Sequence, residues 1–173
     1  MRIIAGQWRG RTIVAPEGQA TRPTSDRTRE ALFSMLTSRL GSFEGLQVAD
    51  ICAGTGALGL EALSRGAAHC TFVERDRAAV VVLRSNVEKL GANADIRPTA
   101  AEGFVGGPFD LVLIDPPYGT GLAQKILPGI GLAPGGWASI ETARDELVDV
   151  AGFTLEAERV HGKAKISLLR ADV

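Results

Sequence analysis

Short apolar runs alternate along this chain with longer segments in which apolar residues recur every third or fourth position. Leu46 to Ile51, His69 to Glu74, Ala94 to Arg97, Leu111 to Ile114 and Trp137 to Glu141 predict strands. Between them, Leu32, Met35, Leu36 and Leu40 mark an amphipathic helix within Thr21 to Leu40, with Thr24 or Ser25 as its N-cap. Leu58 to Arg65 and Leu122 to Ile130 predict further helices. Val80, Leu83, Val87 and Leu90 form the stripe of a helix over Asp76 to Leu90, which Gly91 stops. Phe153 to Val160 and Lys165 to Leu169 are β-prone and joined through His161-Gly162-Lys163, which predicts a hairpin. At the start, Ile3-Ile4 and Thr12 to Val14 flank a Gly-containing loop and predict another. Alternating strands and helices imply an α/β fold with a mostly parallel sheet covered by helices. The expected organisation is an N-terminal β-hairpin extension, 1–20, on a single globular body, 21–173.

The run Leu111 to Ile114 suits a parallel strand buried on both faces. It ends at Asp115, because Pro116 and Pro117 cannot donate to a ladder. Pro-Pro-Tyr-Gly would also serve as a plain strand-ending turn. The four residues together suit one task, however. Asp115 and the Pro116 carbonyl are acceptors on a stiff backbone, and Tyr118 is a flat stacking face. A planar ring with an exocyclic amino group needs that combination, at the strand end where open α/β sheets bind ligands.

A second stretch carries chemistry. After the strand ending at Ile51, Gly54, Gly56 and Gly59 match G-x-G-x-x-G and lead into a helix. Gly54 and Gly56 let the backbone approach a ligand, and Gly59 allows close helix–sheet packing. Glu74 follows Gly54 by 20 residues, the spacing of a strand-end carboxylate that holds ribose hydroxyls. NAD or FAD would fit this turn as well.

Composition changes the picture little: 45% hydrophobic and 23% charged residues describe an ordinary globule. Charge is unevenly placed. Residues 1–40 hold seven arginines and are net +4, and the rest is net -5. A basic end on an acidic body suggests an anionic partner there, and on charge alone a solvated basic face fits as well. Arg2, Arg9 and Arg11 would contact RNA phosphates, and Trp8 would either stack on RNA or pack on the body. Arg22, Asp26, Arg27, Arg29 and Glu30 crowd the first helix start, as a solvated face or an anion-holding cluster. Cys52 and Cys70 read as buried thiols, no metal-ligand spacing occurs, and no signal or membrane-spanning run precedes or interrupts the body. The expected setting is cytoplasmic, without metal or membrane.

A-D-I-C-A-G-T-G at 49–56 resembles the cofactor loop of class I S-adenosylmethionine-dependent methyltransferases, and D-P-P-Y at 115–118 resembles their amino-methylation motif. M-R-I-I-A-G-Q-W-R-G-R, T-R-P-T-S-D-R-T-R-E-A-L-F-S-M-L and G-A-L-G-L-E-A-L-S-R-G-A are similar to the RsmD-type enzymes, which methylate guanine N2 in small-subunit ribosomal RNA. The resemblance runs from Met1 to about Gly121. It implies a Rossmann-like methyltransferase with a seven-stranded sheet ending in an antiparallel hairpin. Its cofactor would be S-adenosylmethionine and its partner 16S rRNA, within the small subunit or an assembly intermediate. It also implies that Asp50 and the turn Ala53, Gly54, Thr55 and Gly56 hold the cofactor's methionine part. Glu74 would hold the ribose, and Arg22 and Thr24 would border the pocket. Asp115, Pro116 and Tyr118 would hold the base. Where the family often has Asp or Asn before Ala near the adenine, Ala100-Ala101 stands here. Ala101 would meet the adenine through backbone atoms. Two readings of other classes stay open: a nucleotide-binding oxidoreductase and a non-catalytic RNA-binding assembly factor. The D-P-P-Y motif alone also admits amino-methylation of DNA or other RNA.

Overall fold

A computed structural model describes residues 1–15 and 26–173 of the chain. Its centre is a seven-stranded sheet: β1 (Gln47–Ile51), β2 (His69–Val73), β3 (Ala94–Arg97), β4 (Phe109–Ile114), β5 (Leu132–Ala143), β6 (Phe153–His161) and β7 (Ala164–Ala171). The spatial order is β3-β2-β1-β4-β5-β7-β6. β1 to β5 run parallel, and β7 enters antiparallel between β5 and β6. A dinucleotide-binding Rossmann sheet has order 3-2-1-4-5-6, so the inserted β7 distinguishes this architecture. The expected mostly parallel sheet with a C-terminal antiparallel hairpin is what the chain forms.

Strand alternation divides the core in two. Leu111 and Leu113 of β4 face a cluster built with Ile3, Ile13, Leu32, Phe33, Leu36, Leu60, Leu63, Phe72 and Leu83. Apart from Phe72 of β2, these come from the N-terminal segment and from helices α1 (Asp26–Leu40), α2 (Ala57–Ser64) and α3 (Arg77–Leu90). Val112 and Ile114 face the other side, against Phe104, Phe109, Ala123, Ile126, Leu127, Val148 and Val150. A short helix, α4 (Leu122–Ile126), and loops cover that side. Helix 122–130 was expected there. The α-helix stops at Ile126 and continues as a 3-10 turn over Leu127–Gly129, where Pro128 has no N–H for an α-helical bond.

The expected N-terminal hairpin narrows to one antiparallel bridge, Arg2 with Thr12, flanked by backbone bonds such as Ile3 N–H to Arg11 C=O. It is fastened to the body. The buried Glu61 carboxylate accepts from the N–H groups of Ile4 (2.9 Å) and Ala5 (3.1 Å) and from Arg65 Nε (2.9 Å). Arg29, fully buried, lies 3.7 Å from Glu61, 3.1 Å from Asp26, and donates to the Arg2 carbonyl. Burial lowers the Arg29 pKa while Glu61 and Asp26 oppose that. Within the charged start of α1, Arg29 is therefore an internal tie. The N-cap candidates Thr24 and Ser25 lie outside the described residues.

Candidate active site

β1, β2 and β4 end in register: Ile51 pairs with Val73 on one side and with Ile114 on the other. The next residues, Cys52, Glu74 and Asp115, therefore emerge side by side at the carboxyl edge of the sheet. That edge opens into a cleft of about 760 Å³, lined among others by Cys52, Gly54, Glu74, Ala101, Asp115 and Pro117. The two stretches singled out from the sequence, 61 positions apart in chain order from Gly54 to Asp115, thus share one cavity.

The Gly turn is built by three constraints. Cys52, Gly54 and Gly56 have φ of 60°, 57° and 87°, left-handed values that the two glycines adopt without strain and that are uncommon for a residue such as Cys52. A Cβ on Gly54 would meet no atom within 4 Å, so this glycine faces open cleft. Gly59 differs: a Cβ there would lie 2.4 Å from Phe72 Cε1 and 2.7 Å from Cys70 Sγ, so its absence lets α2 settle on β2. The third constraint is Asp50. It is 1% exposed, its Oδ2 accepts from Gly59 N–H at 2.9 Å, and its Oδ1 has no partner among the described residues. Burial raises its pKa well above the ordinary aspartate value, and the nearby Asp115 and Glu74 carboxylates raise it further.

Glu74 is oriented by backbone. Its Oε1 accepts from Gly54 N–H at 2.8 Å and its Oε2 from Asp76 N–H at 2.9 Å. A carboxylate oxygen has two lone pairs, so both oxygens keep acceptor capacity towards the cleft. At the end of β4, Asp115 is half-buried and lines the cleft, whereas Pro116, buried, and Tyr118, half-buried, are not among its lining residues. The Tyr118 hydroxyl donates to Glu141 Oε2 at 3.3 Å, Gly119 N–H donates to Glu146 Oε1 at 2.9 Å, and the Thr120 hydroxyl donates to the Pro117 carbonyl at 2.8 Å. The cleft is a negative environment. Cys52 is pushed up to about 12 by burial first and then by Glu74, Asp50, Asp115 and Glu102. Its thiol stays protonated at neutral pH.

The chain is similar to known proteins along nearly its whole length. A family model described as Conserved hypothetical protein 95 matches residues 1–170. The Escherichia coli K12 protein named Ribosomal RNA small subunit methyltransferase D is 38% identical over 99% of this chain and 90% of its own length. The chain belongs to the RsmD family of methyltransferases. The protein of the same name in Haemophilus influenzae is 34% identical over 94% of this chain and 89% of its own. The solved yhhF structure from Escherichia coli superposes with a TM-score of 0.87 at 38% identity, covering 99% of this chain and 98% of that one.

In this RsmD-family chain the residues expected at the cofactor side fall into three groups. Gly54, Glu74 and Ala101 line the cleft. Asp50, Ala53, Thr55 and Gly56 shape the turn behind it: Ala53 N–H bonds the Val73 carbonyl (3.0 Å), and the Thr55 carbonyl accepts from the Asn86 side chain (3.0 Å). Arg22 and Thr24 lie outside the described residues. The RNA-side candidates Arg2, Arg9 and Arg11 are exposed, and Trp8 is half-buried against the core. Several contributors escaped the sequence reading. Arg75, Asp76, Thr120 and Lys125 also line the cleft. Asn86, 1% exposed, ties the turn to the N-terminal segment, since its side chain also bonds both the N–H and the C=O of Val14 at 3.0 Å. An asparagine three positions after Leu83, on the apolar stripe of α3, was the available signal.

Proposed function

We propose that this chain transfers a methyl group from S-adenosylmethionine to the exocyclic N2 amine of a guanine in 16S ribosomal RNA. The substrate is taken to be the small subunit or an assembly intermediate of it. The observation that carries the reading is the shared cleft: the ribose-type carboxylate Glu74 lines one cavity with Asp115 and Pro117. The residues fit the cofactor. Gly54 gives open backbone, Glu74 has oriented acceptors for two hydroxyls, and the orphaned Asp50 Oδ1 is a buried acceptor behind the turn. When bound, S-adenosylmethionine supplies an electrophilic methyl group on a sulfonium.

The chain's own residues supply the rest. The guanine amine is a weak nucleophile because its lone pair is delocalised into the ring. The Asp115 carboxylate and the Pro116 carbonyl accept its two N–H groups, which favours tetrahedral nitrogen and aims the lone pair. Positive charge develops on that nitrogen as it takes the methyl carbon, and the carbon–sulfur bond to the sulfonium breaks to leave a neutral thioether. The Asp115 anion stabilises that charge without prior deprotonation, and the nitrogen's surplus proton leaves afterwards. Holding the reactants in line supplies up to about 7–11 kcal/mol of barrier reduction in favourable cases. Extracting a stacked base costs a few kcal/mol, roughly, which Tyr118 stacking offsets in part. Exposed Arg2, Arg9 and Arg11 hold phosphates, and base choice stays with the pocket.

The test is methyl incorporation into small ribosomal subunits lacking the modification, followed by nucleoside mass spectrometry. N2-methylguanosine is expected, and its absence with active cofactor binding overturns the reading. The oxidoreductase reading is separated by calorimetry with S-adenosylhomocysteine against NAD. The former should bind and the latter should not.

A further inference from the structure

The base-holding turn is tied to the segment that follows β5, and one carboxylate uses both oxygens to do it. Glu146 Oε1 accepts from Gly119 N–H at 2.9 Å, and Oε2 accepts from Ala143 N–H at 2.6 Å. The Glu146 backbone is itself fixed: its N–H bonds the Ala143 carbonyl at 3.1 Å, and its carbonyl accepts from Lys165 Nζ. Lys165 is buried in β7 and pairs with Glu158 at 3.1 Å. Gln124 of α4 reinforces the same junction, donating to the Leu147 carbonyl (3.1 Å) and accepting from Asp149 N–H (3.1 Å).

These contacts have a mechanical meaning. The turn leaves β4 through Asp115, whose N–H reaches the Ile51 carbonyl only at 3.4 Å. Four residues later, at Gly119, the backbone is left-handed with φ of 75°. Glu146 pins that far end to β5. The acceptors that matter, the Asp115 carboxylate and the Pro116 carbonyl, lie between the two fixed points. Their placement towards an amine depends on both.

We propose that Glu146 is a positioning residue for the base-holding turn, setting the orientation of Asp115, Pro116 and Tyr118 without touching cofactor or base. The inference rests on the functional reading above. Its signature is a loss of kcat with cofactor affinity preserved, because Gly54 and Glu74 follow β1 and β2 and make no contact with Glu146 among the hydrogen bonds of the described residues.

Tyr118 is the sole tyrosine of the chain, so fluorotyrosine labelling gives one 19F resonance that reports on this turn. In Glu146→Ala the resonance should shift or broaden. The kcat on unmodified small subunits should fall roughly ten- to a hundred-fold, the range a misplacement near 1 Å produces. The Kd for S-adenosylhomocysteine should stay within about two-fold, since the Gly54–Glu74 wall keeps its own hydrogen bonds. Glu146→Gln keeps the length and one acceptor oxygen, so it should recover part of both signals, and it decides the matter if Glu146→Ala does not fold. Parent-like kcat and an unmoved resonance in these variants overturn the proposal, as does a parallel loss of kcat and cofactor affinity. A parent protein that methylates nothing defeats the functional reading instead, and the 19F comparison still decides whether Glu146 holds the turn.

Discussion

Two carboxylates near the sheet edge have different surroundings. Asp115 is half-buried and lines the cleft. Asp115→Ala should lose at least about a hundred-fold in turnover, by the size of comparable lost electrostatic contacts. Its affinity for S-adenosylhomocysteine should change little, as calorimetry would show. Asp50 is sealed in, and its raised pKa makes stability depend on pH. The folded state holds the proton more tightly than the unfolded chain. The stabilisation this provides is full below the ordinary aspartate range and is lost as pH rises towards the folded pKa. Asp50→Asn removes that dependence while keeping an acceptor for Gly59 N–H. Urea midpoints measured from pH 4 to pH 8 should therefore move in favour of the variant as pH rises. A pH-independent difference would show that Asp50 titrates normally.

At the scale of elements, the contact between α2 and β2 is set by what Gly59 lacks. Gly59→Ala drives a methyl group into Phe72 and Cys70 and should destabilise by roughly 1–3 kcal/mol, measured by denaturant unfolding. Asn86→Ala releases the Thr55 carbonyl and both backbone groups of Val14. It should cost about 1–3 kcal/mol and weaken S-adenosylhomocysteine binding several-fold, because the Gly turn loses a brace. The strands that were legible in the sequence are those whose apolar runs are continuous, such as Leu111 to Ile114. β5 was legible only from Trp137. Its first residues contain Pro134, Gly135 and Gly136, which read as breakers, and the pairing with β4 shifts register there. The Gly turn and D-P-P-Y were legible because their chemistry is local. Glu146 and Asn86 were not, because their partners lie 27 residues away in one case and 31 and 72 in the other. The fold that brings those positions together is not written in either neighbourhood.

Across the whole molecule, the basic N-terminal segment is both an exterior and an interior feature. Ile3 and Ile13 are 2% exposed and belong to the core, whereas Arg9 and Arg11 are exposed. Deleting residues 1–15 removes two core isoleucines, each comparable to a large-to-small change of about 2–5 kcal/mol, and should leave a protein that unfolds at low denaturant. Arg9→Ala with Arg11→Ala should instead keep the melting temperature near that of the parent. It should weaken binding to ribosomal RNA and reduce the salt slope by about two. Parent-like RNA affinity at moderate salt would remove the arginines from the interface. The position of β7 has a consequence for truncated chains. β6 finds its sheet neighbour in β7, and β7 also covers the outer edge of β5. Without residues 164–171, β5 keeps an open outer edge and β6 has no sheet neighbour, the kind of surface that pairs with other chains. A chain released after truncation at His161 is therefore the form most in need of a chaperone.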